Sequence, residues 1–165
     1  MLKLSSSIKL VVSDFDGVFT DGSFYIDENL NQTKKLNFKD IMGVFLLLRA
    51  GYKFAIVTGE DNKILDYFKI KLGVEEIHKG IRKKDLILKE IMQKYDVKYE
   101  EVLYIGDDIN DIPAFELVKY KIATNDANYK VKNIENIQIT ENKGGSGAIR
   151  EVVDSLLSVE DEKIY

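Results

Sequence analysis

Residues 8–22 read Ile-Lys-Leu-Val-Val-Ser-Asp-Phe-Asp-Gly-Val-Phe-Thr-Asp-Gly: an apolar run, Leu10-Val11-Val12, followed at once by Asp14, Asp16 and Asp21. A short, unbroken apolar run is how a strand buried on both faces of a parallel sheet is written. Residues 8–13 are therefore expected to form a central strand, with the carboxylates just past its C-terminal end, where open α/β sheets bind their ligands. Asp14 and Asp16 repel each other unless something neutralises them, and a divalent cation bound by hard oxygen ligands does so. An EF-hand places its glycine and last acid further along a loop flanked by helices, whereas Gly17 comes early and follows a strand. A plain Asp/Gly surface turn is the other reading of the stretch taken alone.

The rest of the chain repeats the strand-then-polar pattern. Phe54-Ala55-Ile56-Val57 runs into Thr58-Gly59, and Val102-Leu103-Tyr104-Ile105 into Gly106-Asp107-Asp108 with Asp111 close behind. Val74–Ile77, Tyr120–Ala123 and Ile137–Ile139 read as shorter strands. Helical periodicity marks Ile41–Leu48 opened by Asp40, Ile64–Leu72 opened by Asp61 or Asn62, Lys83–Tyr95, a short segment capped by Asn110 with Pro113 in its first turn, and Ala148–Leu157. Ser23–Phe38, with a polar tip at residues 27–31, reads as a β-hairpin. Strands alternating with helices specify an α/β three-layer, Rossmann-like sandwich with a mainly parallel sheet and right-handed crossovers. A single domain is expected over residues 1–165, with the hairpin as a flap over about 22–38 and a mobile acidic tail over about 159–165.

Composition narrows the function classes. The chain has 165 residues, 45% hydrophobic and 32% charged, with a formal net charge of -4. That is the profile of a soluble globular protein, and the absence of a basic cluster argues against nucleic acid as a partner. No apolar run approaches a membrane span. No cysteine is present, which excludes disulfides and thiolate chemistry. The missing cysteines and the lack of a signal-peptide pattern fit a cytoplasmic protein.

In a parallel sheet the strand C-termini share one edge, so the three strand-end clusters converge there, with Lys84 opening a helix nearby. Asp14 is suited to act as a carboxylate nucleophile and Asp16 as general acid, then base. Thr58 and the N–H groups after it form an anion site at a helix N-terminus. Lys84 supplies a point charge. Asp14 and Asp107, with a backbone carbonyl and waters, make a Mg²⁺ site that Asp108 and Asp111 orient. Together these parts suit phosphoryl transfer. His78, the sole histidine, reads as structural or solvent-facing.

The stretches Asp14–Gly22, Thr58-Gly59, Lys84 and Gly106-Asp107-Asp108-x-x-Asp111 resemble the four motifs of haloacid dehalogenase-type phosphatases. Asn37-Phe38-Lys39-Asp40 and Gly144–Glu151 are similar to the 3-deoxy-D-manno-octulosonate 8-phosphate phosphatase group, which includes nonulosonate 9-phosphate phosphatases. The resemblance covers residues 8 to about 157. It implies Mg²⁺, an aspartyl-phosphate intermediate, no cap domain, and a homotetramer whose hairpins reach a neighbour's site. It implies metal ligands Asp14, the Asp16 carbonyl and Asp107, and its Gly-x-x-x-Lys spacing from Gly80 favours Lys84 over Lys83 as the catalytic lysine. Lys39, Asp40, Gly59, Glu60 and Lys71 are the expected substrate contacts.

Two positions depart from the octulosonate pattern: Glu60 stands where those enzymes carry Arg, and Ile41 where they carry Gly. A Glu repels a substrate carboxylate and accepts bonds from hydroxyls or an amide. With Lys71 reckoned three turns further along one helix, that favours a nine-carbon sugar acid 9-phosphate, with the eight-carbon octulosonate 8-phosphate as the alternative. A receiver-like signalling domain and a non-catalytic oligomerisation module are the readings from other classes. Receivers carry the phosphorylated Asp after a later strand, and intact Asp14 and Asp16 argue against a dead domain.

Overall fold

The structure, a computed structural model, describes residues 2–158; the expected tail lies outside the described residues. Six strands form one sheet: β1 (Leu10–Ser13), β4 (Lys53–Val57), β5 (Glu76–His78), β6 (Val102–Gly106), β7 (Tyr120–Ala123) and β8 (Ile137–Ile139). Their order is β5-β4-β1-β6-β7-β8, and every pairing in it is parallel. β2 (Tyr25–Ile26) and β3 (Gln32–Thr33) pair antiparallel as a separate ribbon. The described residues also form six α-helices: α1 (Phe38–Arg49), α2 (Leu65–Leu72), α3 (Lys84–Lys94), α4 (Ile112–Phe115), α5 (Tyr129–Lys132) and α6 (Ala148–Leu157).

The apolar run of β1 serves two cores because successive side chains alternate across a strand. Val11 joins Phe54, Ile56, Leu103 and Ile105 under α1, α2 and α6. Leu10 and Val12 join Ala55, Val57, Val102 and Tyr104 under α3, α4 and α5. α1 and α6 lie close together, and at Gly43 a side-chain carbon would press on the Arg150 backbone. Among the described residues no helix is long and apolar enough to cross a membrane.

The register levels the strand ends. Ser13 pairs with Ile56 on one side and Ile105 on the other, so residues 14, 57–58 and 106–107 reach one edge together. The next residues continue the pattern, with Asp14 N–H donating to the Ile105 carbonyl and Thr58 N–H to that of His78.

Local expectations are corrected at three helix starts and at the hairpin. Asn37, whose side chain accepts from Lys39 N–H, caps α1. Asp40 is one helical turn too late to cap it, and Phe38 belongs to α1 rather than to the hairpin. α2 starts at Leu65, preceded by turns in which the Asn62 side chain holds Ile64 N–H. The turn before α4 is closed by Asp108 and Asp111, not by Asn110. The hairpin is shorter in its pairing than its sequence suggests. Asp27 ties its tip by accepting from the Asn29 and Asn31 backbones and the Asn31 side chain.

Candidate active site

The loop after β1 is anchored by aromatic packing. Phe15 and Phe19 are fully buried, stacked at 5.7 Å, and meet Phe68 of α2 edge-on at 5.7 and 4.9 Å. With Phe15 turned into the core, the alternating Asp14 and Asp16 face the sheet edge. Gly17 lets the loop close: its φ is +79°, and a side chain there would run into the Asp107 carboxylate. The loops after β7 and β8 brace the turn from behind. Thr124 Oγ1 donates to the Gly17 carbonyl at 3.3 Å and Gly145 N–H to the Val18 carbonyl at 2.9 Å.

Lys84 is the hub. Its ammonium is buried, 2.7 Å from Asp14 Oδ2 and 2.7 Å from Asp111 Oδ1, while Lys83 is exposed. Position brings Lys84, and not Lys83, to the acidic cluster. Asp14 Oδ1 accepts Phe15 N–H at 2.6 Å. Asp111 Oδ1 also accepts the Tyr104 hydroxyl at 2.8 Å, and its Oδ2 accepts the Asp107 and Asp108 N–H groups at 3.0 and 3.2 Å. With about four acceptor directions on a carboxylate, Asp111 is fully engaged and acts as a brace.

Asp14, Asp107 and Asp111 offer oxygens within 4.8 Å of one another. Burial, then the Asp111 charge, pushes Asp14 up to about 7, although Lys84 opposes the shift. Burial and the Asp14 and Asp111 charges push Asp107 up to about 8. Lys84 is raised in turn: burial opposes its charge, but Asp14 and Asp111 outweigh burial. Three carboxylates against one ammonium leave a net negative pocket of hard oxygens, which fits a divalent cation held by Asp14 and Asp107.

Asp14, Asp16, Thr58, Gly59, Glu60 and Asp107 line one open cavity of about 270 Å³ together with Asp108 and Asn110. Thr58 is brought there, but not at a helix N-terminus. Its hydroxyl accepts Glu60 N–H at 3.3 Å in the turns that precede α2, so any anion site is a loop one. The other expected contacts lie elsewhere. Asp40 is buried at 0% exposure and accepts Gly147 and Arg150 N–H, each at 3.1 Å. It caps α6 and has no face open to a ligand. Lys39 lines a separate polar cavity with Ser146 and Glu151. Lys71 is exposed in the last turn of α2, whereas Glu60 precedes that helix. The three-turn reckoning fails, because α2 runs away from the edge that carries Glu60.

Four partners were missed in the sequence. The Thr20 hydroxyl and Lys34 Nζ hold the two oxygens of Asp16 at 3.1 and 2.7 Å. Asn128 donates N–H to the Asp107 carbonyl at 2.8 Å and Nδ2 to Asp108 at 3.0 Å. The Tyr104 hydroxyl, noted above, is the fourth. Tyr104 was a visible cue, a polar tip inside an apolar strand. Lys34, one of two lysines on the hairpin, carried none.

A family profile of haloacid dehalogenase-like hydrolases matches residues 55–151, more than half of the chain. The 3-deoxy-D-manno-octulosonate 8-phosphate phosphatase of Haemophilus influenzae is 34% identical over 154 residues, 93% of this chain and 85% of its own length. The crystal structure of the corresponding Yersinia pestis phosphatase superposes with a TM-score of 0.90 at 32% identity, covering 94% of this chain and 84% of that one. The Moraxella catarrhalis phosphatase, solved with magnesium, phosphate and the eight-carbon sugar acid, gives 0.87 at 29% identity over 93% and 87%. The motif spacing, the parallel sheet with its acidic edge and these relatives agree: the chain belongs to the haloacid dehalogenase-like hydrolases and is a phosphatase.

Proposed function

We propose that this chain is a Mg²⁺-dependent phosphomonoesterase that takes phosphate from a 2-keto-3-deoxy sugar acid phosphate through an aspartyl-phosphate on Asp14. The buried Asp14–Lys84–Asp111 cluster beside Asp107 carries the reading. An Asp14 oxygen attacks phosphorus in line. The Asp14 O–P bond forms as the bond to the sugar oxygen breaks, and Asp16 passes its proton to that oxygen. Asp16 then takes a proton from the water that attacks the phosphoryl group, releasing phosphate and restoring Asp14. Lys84 and the Thr58 loop hold the phosphoryl oxygens. When bound by Asp14, the Asp16 carbonyl and Asp107, Mg²⁺ neutralises charge building on the phosphoryl group.

A cavity of about 270 Å³ lies just below the usual small-molecule range of roughly 300–1,000 Å³. It suits the phosphate end, with the sugar extending beyond this chain's own walls. The hairpin supplies a reason to place a neighbour there. Tyr25, Ile26 and Leu30 are 77%, 54% and 76% exposed, and a two-stranded ribbon cannot bury such groups alone. We therefore read the assembly as a homotetramer in which these hairpins pack together and border adjacent sites. Lys71, remote from its own site, can serve only a neighbour's.

Glu60, exposed on the cavity wall, favours the nine-carbon acid 9-phosphate over the octulosonate 8-phosphate that the relatives' names specify. The test is kcat/KM with Mg²⁺ for both compounds. The reading expects a preference of at least roughly tenfold for the nine-carbon acid, about 1.4 kcal/mol of transition-state binding, which Glu60→Arg erodes. Equal or better turnover of the octulosonate overturns the substrate choice and leaves the chemistry standing.

A further inference from the structure

The hairpin is exposed from residue 22 to 33, but the lysine that follows β3 is not. Lys34 follows β3, and its side chain is only 5% exposed, with Nζ 2.7 Å from Asp16 Oδ2. Its neighbour Lys35 pairs with Asp21 at 3.2 Å but stays 64% exposed, a solvent-screened pair of little worth. Burying the Lys34 ammonium costs solvation and orders a long side chain. That cost is met at a carboxylate, and the carboxylate is the acid of the reaction rather than a distant structural partner.

Asp16 sits on a loop and has two side-chain torsions to fix. Thr20 Oγ1 holds Oδ1 at 3.1 Å. That bond alone leaves the carboxylate free to swing about it, and Lys34 on Oδ2 removes the swing. Lys84 is already committed to Asp14 and Asp111, so Asp16 depends on a different cation. That cation comes from the hairpin, a ribbon separate from the main sheet at whose edge the other site residues gather.

We propose that Lys34 is a positioning residue for the proton donor: acting through Asp16, it holds the carboxyl toward the leaving-group oxygen and makes the hairpin part of the catalytic apparatus. Lys34 neither gives nor takes a proton; the proton moves from Asp16 to the sugar oxygen as the phosphorus–oxygen bond breaks. The inference rests on the reading of Asp16 as the acid, and one comparison tests the two separately. An alkoxide leaving group needs that proton, whereas 4-nitrophenolate does not.

With the full chain and Mg²⁺, kcat/KM is measured for 4-nitrophenyl phosphate and for whichever sugar acid phosphate the wild type turns over faster. Lys34→Met is expected to lower the sugar phosphate value by roughly tenfold more than the aryl phosphate value, a modest share of what acid catalysis supplies. Lys34→Arg is expected to restore most of the loss, and Asp16→Asn to show the same selectivity more strongly. Equal losses on both substrates with Lys34→Met, or none, alongside a selective Asp16→Asn overturn the role of Lys34 and leave Asp16 as the acid. An unselective Asp16→Asn overturns both.

Discussion

Asp14 and Asp107 illustrate how a site residue can oppose the stability of its own fold. Burial and crowding raise Asp14 to about 7 and Asp107 to about 8 from an ordinary value of 3.8. Between those limits the metal-free folded chain holds protons that the unfolded chain has released. This contribution to stability is therefore complete in acid and is lost as pH rises through the raised values. Asp14→Asn removes one of the crowded charges. Urea unfolding without metal should show the variant more stable than wild type, by a margin that widens from roughly pH 5 to pH 8. Saturating Mg²⁺ should reverse the order, because the cation binds the folded wild type far better. A margin independent of pH would contradict the assigned crowding. Lys84 was legible as a candidate but not distinguishable from Lys83 by chemistry alone. Only the start of α3 at Lys84 turns one side chain inward and the other to solvent.

At the scale of elements, the strands were legible because each carries its burial in its own sequence, and their C-terminal acids followed by topology. Helix starts were less so, since a capping residue is chosen by tertiary contacts as much as by local ones. Asp40 shows this: a plausible cap for α1 by type, it instead caps α6, over a hundred residues away, accepting Gly147 and Arg150 N–H while fully buried. Asp40→Ala should thus act as a lost cap of the last helix, costing at least about 1–2 kcal/mol. Hydrogen exchange should localise the loosening to α6 and the Gly144–Gly147 loop rather than to the start of α1. Protection lost at α1 alone would contradict the placement. The contact expected of Lys71 was illegible for a related reason. Spacing along a chain gives no measure of distance once a helix begins later than its pattern suggests, as α2 does.

For the whole molecule, the proposed tetramer rests on the exposed apolar hairpin and the small cavity. Light scattering should find a tetramer. Replacing Tyr25 and Leu30 with Ser should yield smaller species with sharply lower turnover of the sugar acid phosphate, and a fully active monomer would refute the shared site. Whatever covers the site, the proposed mechanism has one central event, the transfer of a phosphoryl group to Asp14, on which the assignments of Asp16, Lys84 and Asp107 all depend. Acid quenching during steady-state turnover with Mg²⁺, followed by mass spectrometry of the peptide that carries Asp14, observes that event directly. The account predicts one phosphoryl group on Asp14 in wild type, more of it in Asp16→Asn turning over 4-nitrophenyl phosphate, whose leaving group needs no proton while the attacking water still needs a base, and none in Asp14→Asn together with loss of phosphate release. An unmodified Asp14 in an active enzyme, or an Asp14→Asn variant that keeps more than a few per cent of the activity, would contradict it.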